Sequence, residues 1–219
     1  MNTFGGRIVF ENAKALLQAA QLDTSKAVLT QSSLRLEQPV TAGVTVYPFP
    51  ILVNDNSGPS GTTFNTEKRL ILQDAFVASD FGMFLAQPSS ATDATFSLYT
   101  YPSPTVFAGA GLAAGLGTVY NGQLSIAINN QIILPNWDTL RYKCVPETQA
   151  TAAATPSLDQ YNSEQGFCIA EPNIVLSGSR NNVINLNLPA AITGTIGATP
   201  QRIVIVVRGL RAQNVTSVN

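Results

Sequence analysis

The spacing of apolar residues divides the chain into a short helical start and a long β-rich remainder. In residues 11–22, ENAKALLQAAQL, apolar side chains recur at Ala13, Leu16, Leu17 and Ala20. This i, i+3, i+4, i+7 spacing places them on one face of a helix, and Ala, Leu, Gln and Lys are good helix formers. The pattern predicts one amphipathic helix near the N-terminus.

From about residue 28 onward, alternation of apolar and polar positions replaces the helical spacing. In GQLSIAIN, 122–129, Leu124, Ile126 and Ile128 fall on one side of a strand and the residues between them on the other. Helical spacing is nearly absent after residue 30, and Gly, Pro, Asn and Ser separate about nine to eleven predicted strands. The other strands are predicted at 32–40, 44–52, 68–87 (broken near Asp74, or two strands), 94–101, 131–135, 139–145, 166–178, 182–189 and 201–212.

This order of elements predicts an all-β fold, because the alternation of strands and helices that builds a parallel sheet is missing. The long connections at 54–65, 102–121 and 146–165 favour Greek-key or jelly-roll wiring over a simple meander, and are where we expect contacts to neighbours. We therefore expect an N-terminal arm with a helix at 1–30 and an antiparallel β-sandwich of jelly-roll type at 31–219. With 219 residues one sandwich fits better than two trimmed ones.

Charged residues make up only 11% of the chain, less than half the usual share of about 25%. A weakly charged surface limits self-repulsion and suits a protein packed against copies of itself, or a secreted adhesin-like module. The net charge is −1, so there is no basic excess to hold a phosphate backbone, and nucleic-acid binding is not expected.

The chain has no histidine, which removes most zinc sites, Ser-His-Asp and Cys-His catalysis, and the easiest pH switch. Its two cysteines, Cys144 and Cys168, either remain free and buried or pair with each other; two free thiols are the favoured alternative. The N-terminus lacks the pattern of a signal peptide, and no apolar run approaches the roughly 20 residues of a membrane helix. We expect synthesis in the cytoplasm of the producing cell.

The stretch FAGAGLAAGLG contains Gly109-Ala110-Gly111-Leu112-Ala113-Ala114, which fits the letters of a dinucleotide-binding fingerprint. Such a site needs a helix after the glycines and an acid about 20 residues on. The following residues, LGTVYNG, lead into a strand, and the first downstream acid is Asp138. We interpret the stretch as a loop whose small residues let another chain approach, so a bulky substitution at Gly111 or Gly115 is expected to reduce assembly more than folding. The candidate subunit-contact residues are Gly109, Gly111, Gly115 and Gly117.

Other residue groups have a structural interpretation beside a chemical one. Asp74 and Asp80 flank a strand, and a second acidic group surrounds the connection at 146–165. Glycoside hydrolysis would need two of these carboxylates to converge in one groove. If they do not converge, the carboxylates are solvated charges. The turn-forming NDNSG at 54–58 offers oxygen ligands for calcium. An EF-hand loop, however, needs a glutamate at its twelfth position, and counted from Asp55 that position is Thr66. The second acidic group is Glu147, Asp159, Glu164 and Glu171.

No Gly-x-Ser-x-Gly occurs, and Cys144 and its neighbour Lys143 would lie on opposite sides of a strand, so no nucleophile is expected. RIVIVVRGLR, 202–211, has a continuously apolar, β-branched centre typical of a strand buried on both faces. Its Arg202, Arg208 and Arg211 are candidates for a small basic edge. The sequence therefore predicts no catalytic, cofactor or metal site.

Taken as a set, a β-rich body, long loops, a helical N-terminal arm and few charges resemble the jelly-roll coat proteins of icosahedral viruses, including bacteriophages. The resemblance covers architecture only and transfers no functional residue. It implies a major capsid protein of the virion that assembles with copies of itself, often as trimers, and with other virion proteins. It also allows contact with an internal membrane.

Two other classes fit the same features. One is another structural phage component such as a spike, tail or baseplate module, which copy number in the particle would distinguish from a coat. The other is a carbohydrate-binding β-sandwich or a glycosidase of sandwich fold, which would need an exposed aromatic platform or two carboxylates about 5 to 10 Å apart.

Overall fold

In the computed structural model, residues 6–52, 69–86, 88, 96–102, 113–144, 166–192 and 201–217 are described. The helical elements within these ranges are α1 (Gly6–Ala19), α2 (Ala113–Tyr120) and the short 3-10 helix η1 (Thr139–Tyr142). The strands are β1 (Leu22–Asp23), β2 (Val28–Pro39), β3 (Val46–Ile51), β4 (Ala75–Ala86), β5 (Leu98–Tyr99), β6 (Gln123–Ile128), β7 (Gln131–Asp138), β8 (Phe167–Ser177), β9 (Asn182–Asn187), β10 (Arg202–Gln213) and β11 (Thr216–Ser217).

Two antiparallel sheets pack face to face, so the predicted all-β sandwich with a short N-terminal helix is confirmed. In the five-stranded sheet the order is β2-β10-β4, and both β8 and β5 pair with the far edge of β4. The four-stranded sheet has the order β3-β9-β6-β7. A separate two-stranded ribbon joins β1 to β11.

The main core lies between the two sheets, and the strand alternation explains its composition. Ile203, Ile205 and Val207 of β10 point inward and are fully buried, as are Ile184 and Leu186 of β9 in the opposite sheet. Each such side chain contributes about 1.5–3 kcal/mol when it leaves water. The predicted burial of β10 on both faces is also confirmed, because it lies between β2 and β4 and its outward residues are covered as well.

The N-terminal helix packs against the outer face of the five-stranded sheet. Ala13 and Leu17 are fully buried and contact a second apolar cluster that includes Ala75, Val77 and Ala212 of β4 and β10. The predicted apolar stripe is thus the contact face of α1. The helix begins at Gly6, five residues earlier than the pattern indicated, and ends at Ala19.

Most predicted strands are present, with shifted ends. The run at 68–87 forms a strand only from Ala75, after a turn, and 94–101 contributes the two residues of β5. The strand predicted at 139–145 is wrong, because residues 139–142 form η1. The Asp138 carboxylate accepts a hydrogen bond from the Leu140 N–H (2.8 Å) and caps this turn, while the buried Thr139 hydroxyl donates to the carbonyl oxygen of Val119 (2.7 Å).

The prediction that no helix follows the glycine stretch is also wrong. Residues 113–120 form α2, which packs Leu116, Val119 and Tyr120 into the main core. These three residues have the i, i+3, i+4 spacing of a helix face. The glycines on either side of Leu116, Gly115 and Gly117, are poor helix formers and hid that spacing, and burial of the apolar face outweighs their low propensity.

Candidate interaction surface

The outer face of the five-stranded sheet is largely covered by the chain itself. At one end α1 covers it, as described above. At the other end Phe84, Val204 and Val206 are buried in a third apolar cluster, against which the half-buried rings of Phe96 and Phe167 pack. The inner sides of these rings replace water over the sheet, so this face offers little open apolar surface apart from Ile169 of β8, which is 51% exposed.

Charged groups lie within this covered face and are paired there. The Glu37 carboxylate accepts hydrogen bonds from the Arg35 Nε (2.7 Å) and from an Arg202 terminal nitrogen (3.0 Å). The side chains of Glu37 and Arg202 have no exposed surface, whereas that of Arg35 is 27% exposed. Both guanidinium groups also lie over the Phe96 ring, at 5.4 Å for Arg35 and 4.8 Å for Arg202.

The three arginines of β10 do not form the predicted basic edge, and that prediction is wrong. Arg202 is buried against Glu37; Arg208 lies over the ring of Phe167, 3.4 Å from its centroid; and Arg211 donates to the Asp74 carboxylate at 2.7 and 2.9 Å. Nine residues of strand separate the first from the last, about 30 Å. Their charges serve the packing of this sheet and not a shared anion site.

Neither α-helix of the described chain packs on the outer face of the four-stranded sheet, since α1 lies on the other sheet and α2 packs into the main core; this face has a simple layout. Its strand register aligns outward-facing side chains in three rows that run across the sheet, because directly paired residues point to the same side. The apolar row is Pro50, Val183, Ala127 and Ile132; the middle row is Pro48, Asn185 and Ser125; the polar row is Val46, Asn187, Gln123 and Asp138.

Charge is almost absent from this face. The one charged residue in the four strands is Asp138, at the corner of the sheet, where its carboxylate caps η1. Solvated faces of antiparallel sheets ordinarily carry polar residues opposite the core. Here the polar residues are amides and a hydroxyl, and one pair already interacts, since the Asn187 side-chain amide donates to the Ser125 oxygen at 3.2 Å.

The edge of the same sheet adds exposed apolar side chains. Ile132 and Ile133 of β7 are 61% and 47% exposed, and Leu140 of η1 is 49% exposed. Beside them the Arg141 guanidinium lies 4.2 Å from the centre of the Trp137 ring. Arg and Trp are over-represented among residues that dominate binding energy at protein interfaces. We call the three rows together with this edge the open face.

The glycine stretch contributes less to a surface than its sequence indicates. Gly109 and Gly111 lie outside the described residues. Gly115 is buried within α2, whereas Gly117 is exposed and has no atom within 4 Å of where a Cβ would stand. Because a side chain at Gly115 would enter the chain's own interior, we expect a bulky substitution there to affect folding as well as assembly.

The remaining sequence candidates are the acidic residues and the stretch 54–58. Asp74 is buried by its pairing with Arg211, and Asp80 accepts a hydrogen bond from the Ser79 hydroxyl at 2.6 Å. Six residues of chain, most of them in β4, separate these two carboxylates by more than about 15 Å, too far for joint catalysis. Glu171 is exposed, and no three Asp, Glu or Cys side chains converge as metal ligands within the part of the chain described. Glu147, Asp159, Glu164 and the stretch 54–58 lie outside it.

The two cysteines are free thiols and do not pair, as the favoured alternative expected, but they are not buried as it also expected. Both are half-buried. Burial raises the pKa of the Cys168 thiol, with a smaller opposite effect from the nearby Arg141 cation and a further raising effect from Asp80. A raised thiol pKa lowers the fraction of reactive thiolate, so Cys168 has the character of a packing residue.

Sequence reasoning missed the open face, although a signal for it was present. The predicted strands 44–52, 122–129, 131–135 and 182–189 contain no Lys, Arg, Asp or Glu. Which of these strands are neighbours is decided by long-range pairing, and the grouping of four uncharged strands into one sheet follows only from that pairing.

Comparison of the chain with protein-family models, with curated proteins and with solved structures gave no match. Among the helices described, none is long and apolar enough to cross a membrane.

Proposed function

We propose that this protein is a viral structural protein, a major capsid protein that self-assembles into a closed shell of the virion. The observation that carries the proposal is the pairing of the eight principal strands. Taken in chain order, the first pairs with the eighth, the second with the seventh, the third with the sixth and the fourth with the fifth: β2·β10, β3·β9, β4·β8 and β6·β7.

This nested pairing is what results when one long antiparallel hairpin is rolled up so that successive strand pairs alternate between two sheets. The pairing favours a jelly-roll arrangement, the fold type that is found in viral capsid domains and lectins. The short β5 and helix α2 are then insertions between the third and fourth principal strands. The order of strand pairing supports a jelly roll. Because jelly rolls serve several functions, the surface of the molecule is needed to choose among them.

Two surface features favour assembly over sugar binding. The open face combines exposed apolar side chains with uncharged polar ones, as the contact surfaces of associating proteins do. Lectin-like sugar binding would favour an aromatic ring exposed on such a face, whereas the aromatic residues of its four strands, Tyr47, Phe49 and Trp137, are buried or half-buried. Copies of this chain are therefore the proposed principal partner, with other virion proteins and an internal membrane as further contacts.

The test is whether the purified protein assembles. We expect concentration-dependent oligomers in sedimentation velocity and regular shells or capsomers, often trimers, in electron micrographs. A protein that stays monomeric at high concentration, both alone and with its virion partners, would refute the proposal. Assembly at tens of copies per particle or fewer, and not hundreds, would instead favour a spike, tail or baseplate component.

A further inference from the structure

We infer that the open face binds the open face of a second copy about a two-fold axis that lies between the two faces and runs parallel to the strands. This inference rests on the proposed self-assembly and names the surface and the symmetry through which two copies meet. It does not depend on the viral setting.

The partner is identified as a second copy by the distribution of charge. In a two-fold interface the same patch meets itself, so each charged side chain faces its own kind or must find a partner of opposite sign in the same patch. The three rows carry no charge except Asp138 at one corner. Apart from Asp138 at this corner and Arg141 beside the edge, two copies can therefore meet without burying an unpaired charge, whereas a strongly basic or acidic partner would find little counter-charge here.

The order of side chains within each row selects the direction of the axis. An axis parallel to the strands places each row against its own reversed copy. In the apolar row this sets Val183 against the partner's Ala127 and Pro50 against the partner's Ile132, which pairs a larger side chain with a smaller one at the centre. Two-fold symmetry repeats both contacts in reverse.

The other two rows also match under this axis except at the corner of the sheet, where the exposed Asp138 would face the partner's Val46. Asn185 of one copy meets the partner's Ser125, and Asn187 meets the partner's Gln123, so each buried polar side chain faces one that can donate or accept a hydrogen bond. An axis perpendicular to the strands would instead place the apolar row against the polar row, setting Val183 against the partner's Asn187. That arrangement buries amide groups against hydrocarbon and is disfavoured.

The size of the face predicts a weak contact. Four strands about 4.8 Å apart and six residues long cover about 20 by 20 Å, or about 800 Å² for both copies together. Stable pairwise complexes bury about 1,200–2,000 Å², so the rows alone fall short and the edge residues Ile133 and Leu140 are needed to extend the contact. A shell needs contacts of this weak kind, because many of them act at once.

A charge exchange across the central contact tests both the surface and the axis. We expect Ala127→Lys and Val183→Glu each to weaken self-association at least about tenfold, measured by sedimentation velocity, because each places a charge in an apolar contact. An equimolar mixture of the two variants should recover affinity, because the ammonium group introduced in one chain then faces the carboxylate introduced in the other. The control is Val28→Lys, at a position 51% exposed on β2 in the other sheet, which should leave association unchanged.

A second pair avoids the interior strands in case either variant folds poorly. Ile132→Lys and Pro50→Glu alter the two edge strands, and their mixture should recover affinity in the same way. If the wild-type protein associates but all four variants behave as the control does, this inference is overturned while the proposed function stands. If single variants weaken association but neither mixture recovers it, the two-fold pairing is wrong. A wild-type protein that never associates overturns both proposals.

Discussion

The buried carboxylate of Glu37 provides a sharp test of how the five-stranded sheet is stabilised. Its side chain and that of Arg202 are completely buried and 3.0 Å apart, whereas Arg35, the second donor to Glu37, is 27% exposed. Replacing Glu37 by Leu leaves the Arg202 cation buried without its carboxylate. Removal of one member of a buried ion pair costs about 3–5 kcal/mol, a large part of a typical stability of about 5–15 kcal/mol.

The double variant Glu37→Leu/Arg202→Leu should recover much of that loss, because it removes both desolvated charges and fills the site with apolar atoms. Arg35→Leu is the control and should cost under about 1 kcal/mol, since its guanidinium is partly solvated. Urea unfolding followed by circular dichroism gives the free energy of each variant. Additive losses in the double variant, with a coupling energy near zero, would refute the account of Glu37 and Arg202 as a mutually dependent buried pair.

Three further results are expected from unfolding measurements. Gly209→Ala should lower the free energy of unfolding by about 3 kcal/mol or more, because its Cβ would stand 1.9 Å from the Val77 carbonyl oxygen of β4. Gly117→Ala in α2 meets no atom within 4 Å and should stabilise the protein by about 0.5–1 kcal/mol. Leu17→Ala should cost about 2–5 kcal/mol by detaching α1, and Phe10→Ala, at a position 43% exposed, should cost little; equal losses would contradict the docking of the helix. Burial raises the pKa of Tyr120 well above its ordinary value of 10.0, so at higher pH the folded state keeps a proton that the unfolded chain loses. The free energy of unfolding should therefore fall as pH rises above 10.0. Tyr120→Phe should flatten that fall, and an unchanged slope would contradict the assignment.

Local patterns predicted the elements whose stability depends on their own periodicity. The stripe on α1 and the alternation in β6 and β9 each identify a buried face directly from spacing. The prediction was less successful where another part of the chain decides the conformation. Residues 139–142 have strand-like composition but turn into η1, because the Asp138 carboxylate caps the turn and the Thr139 hydroxyl donates to carbonyl oxygens of Val119 and Gly122.

The ion pairs, like η1, could not be predicted from local sequence. The spacing of Arg202, Arg208 and Arg211 along one strand suggested a basic edge. Their actual partners are Glu37, which is 165 residues away from Arg202, and Asp74, which is 137 residues away from Arg211. Nothing in a local window indicates those pairings, since they depend on β10 lying between β2 and β4.

The charges in the described part of the chain are unevenly placed, and that asymmetry bears on the proposed self-association. Glu37, Asp74 and three arginines of the five-stranded sheet are engaged in ion pairs within that half, where α1 and two phenylalanine rings close the outer surface. The four strands of the other sheet have a single charged residue, and neither described α-helix packs on the outer face of that sheet. A chain that uses its charges internally on one side and omits them on the other has one surface on which desolvation costs little. The proposed association through that surface would need no matching of ion pairs, and the limited area of each contact would keep it reversible, so that errors made during growth of a large assembly could be corrected.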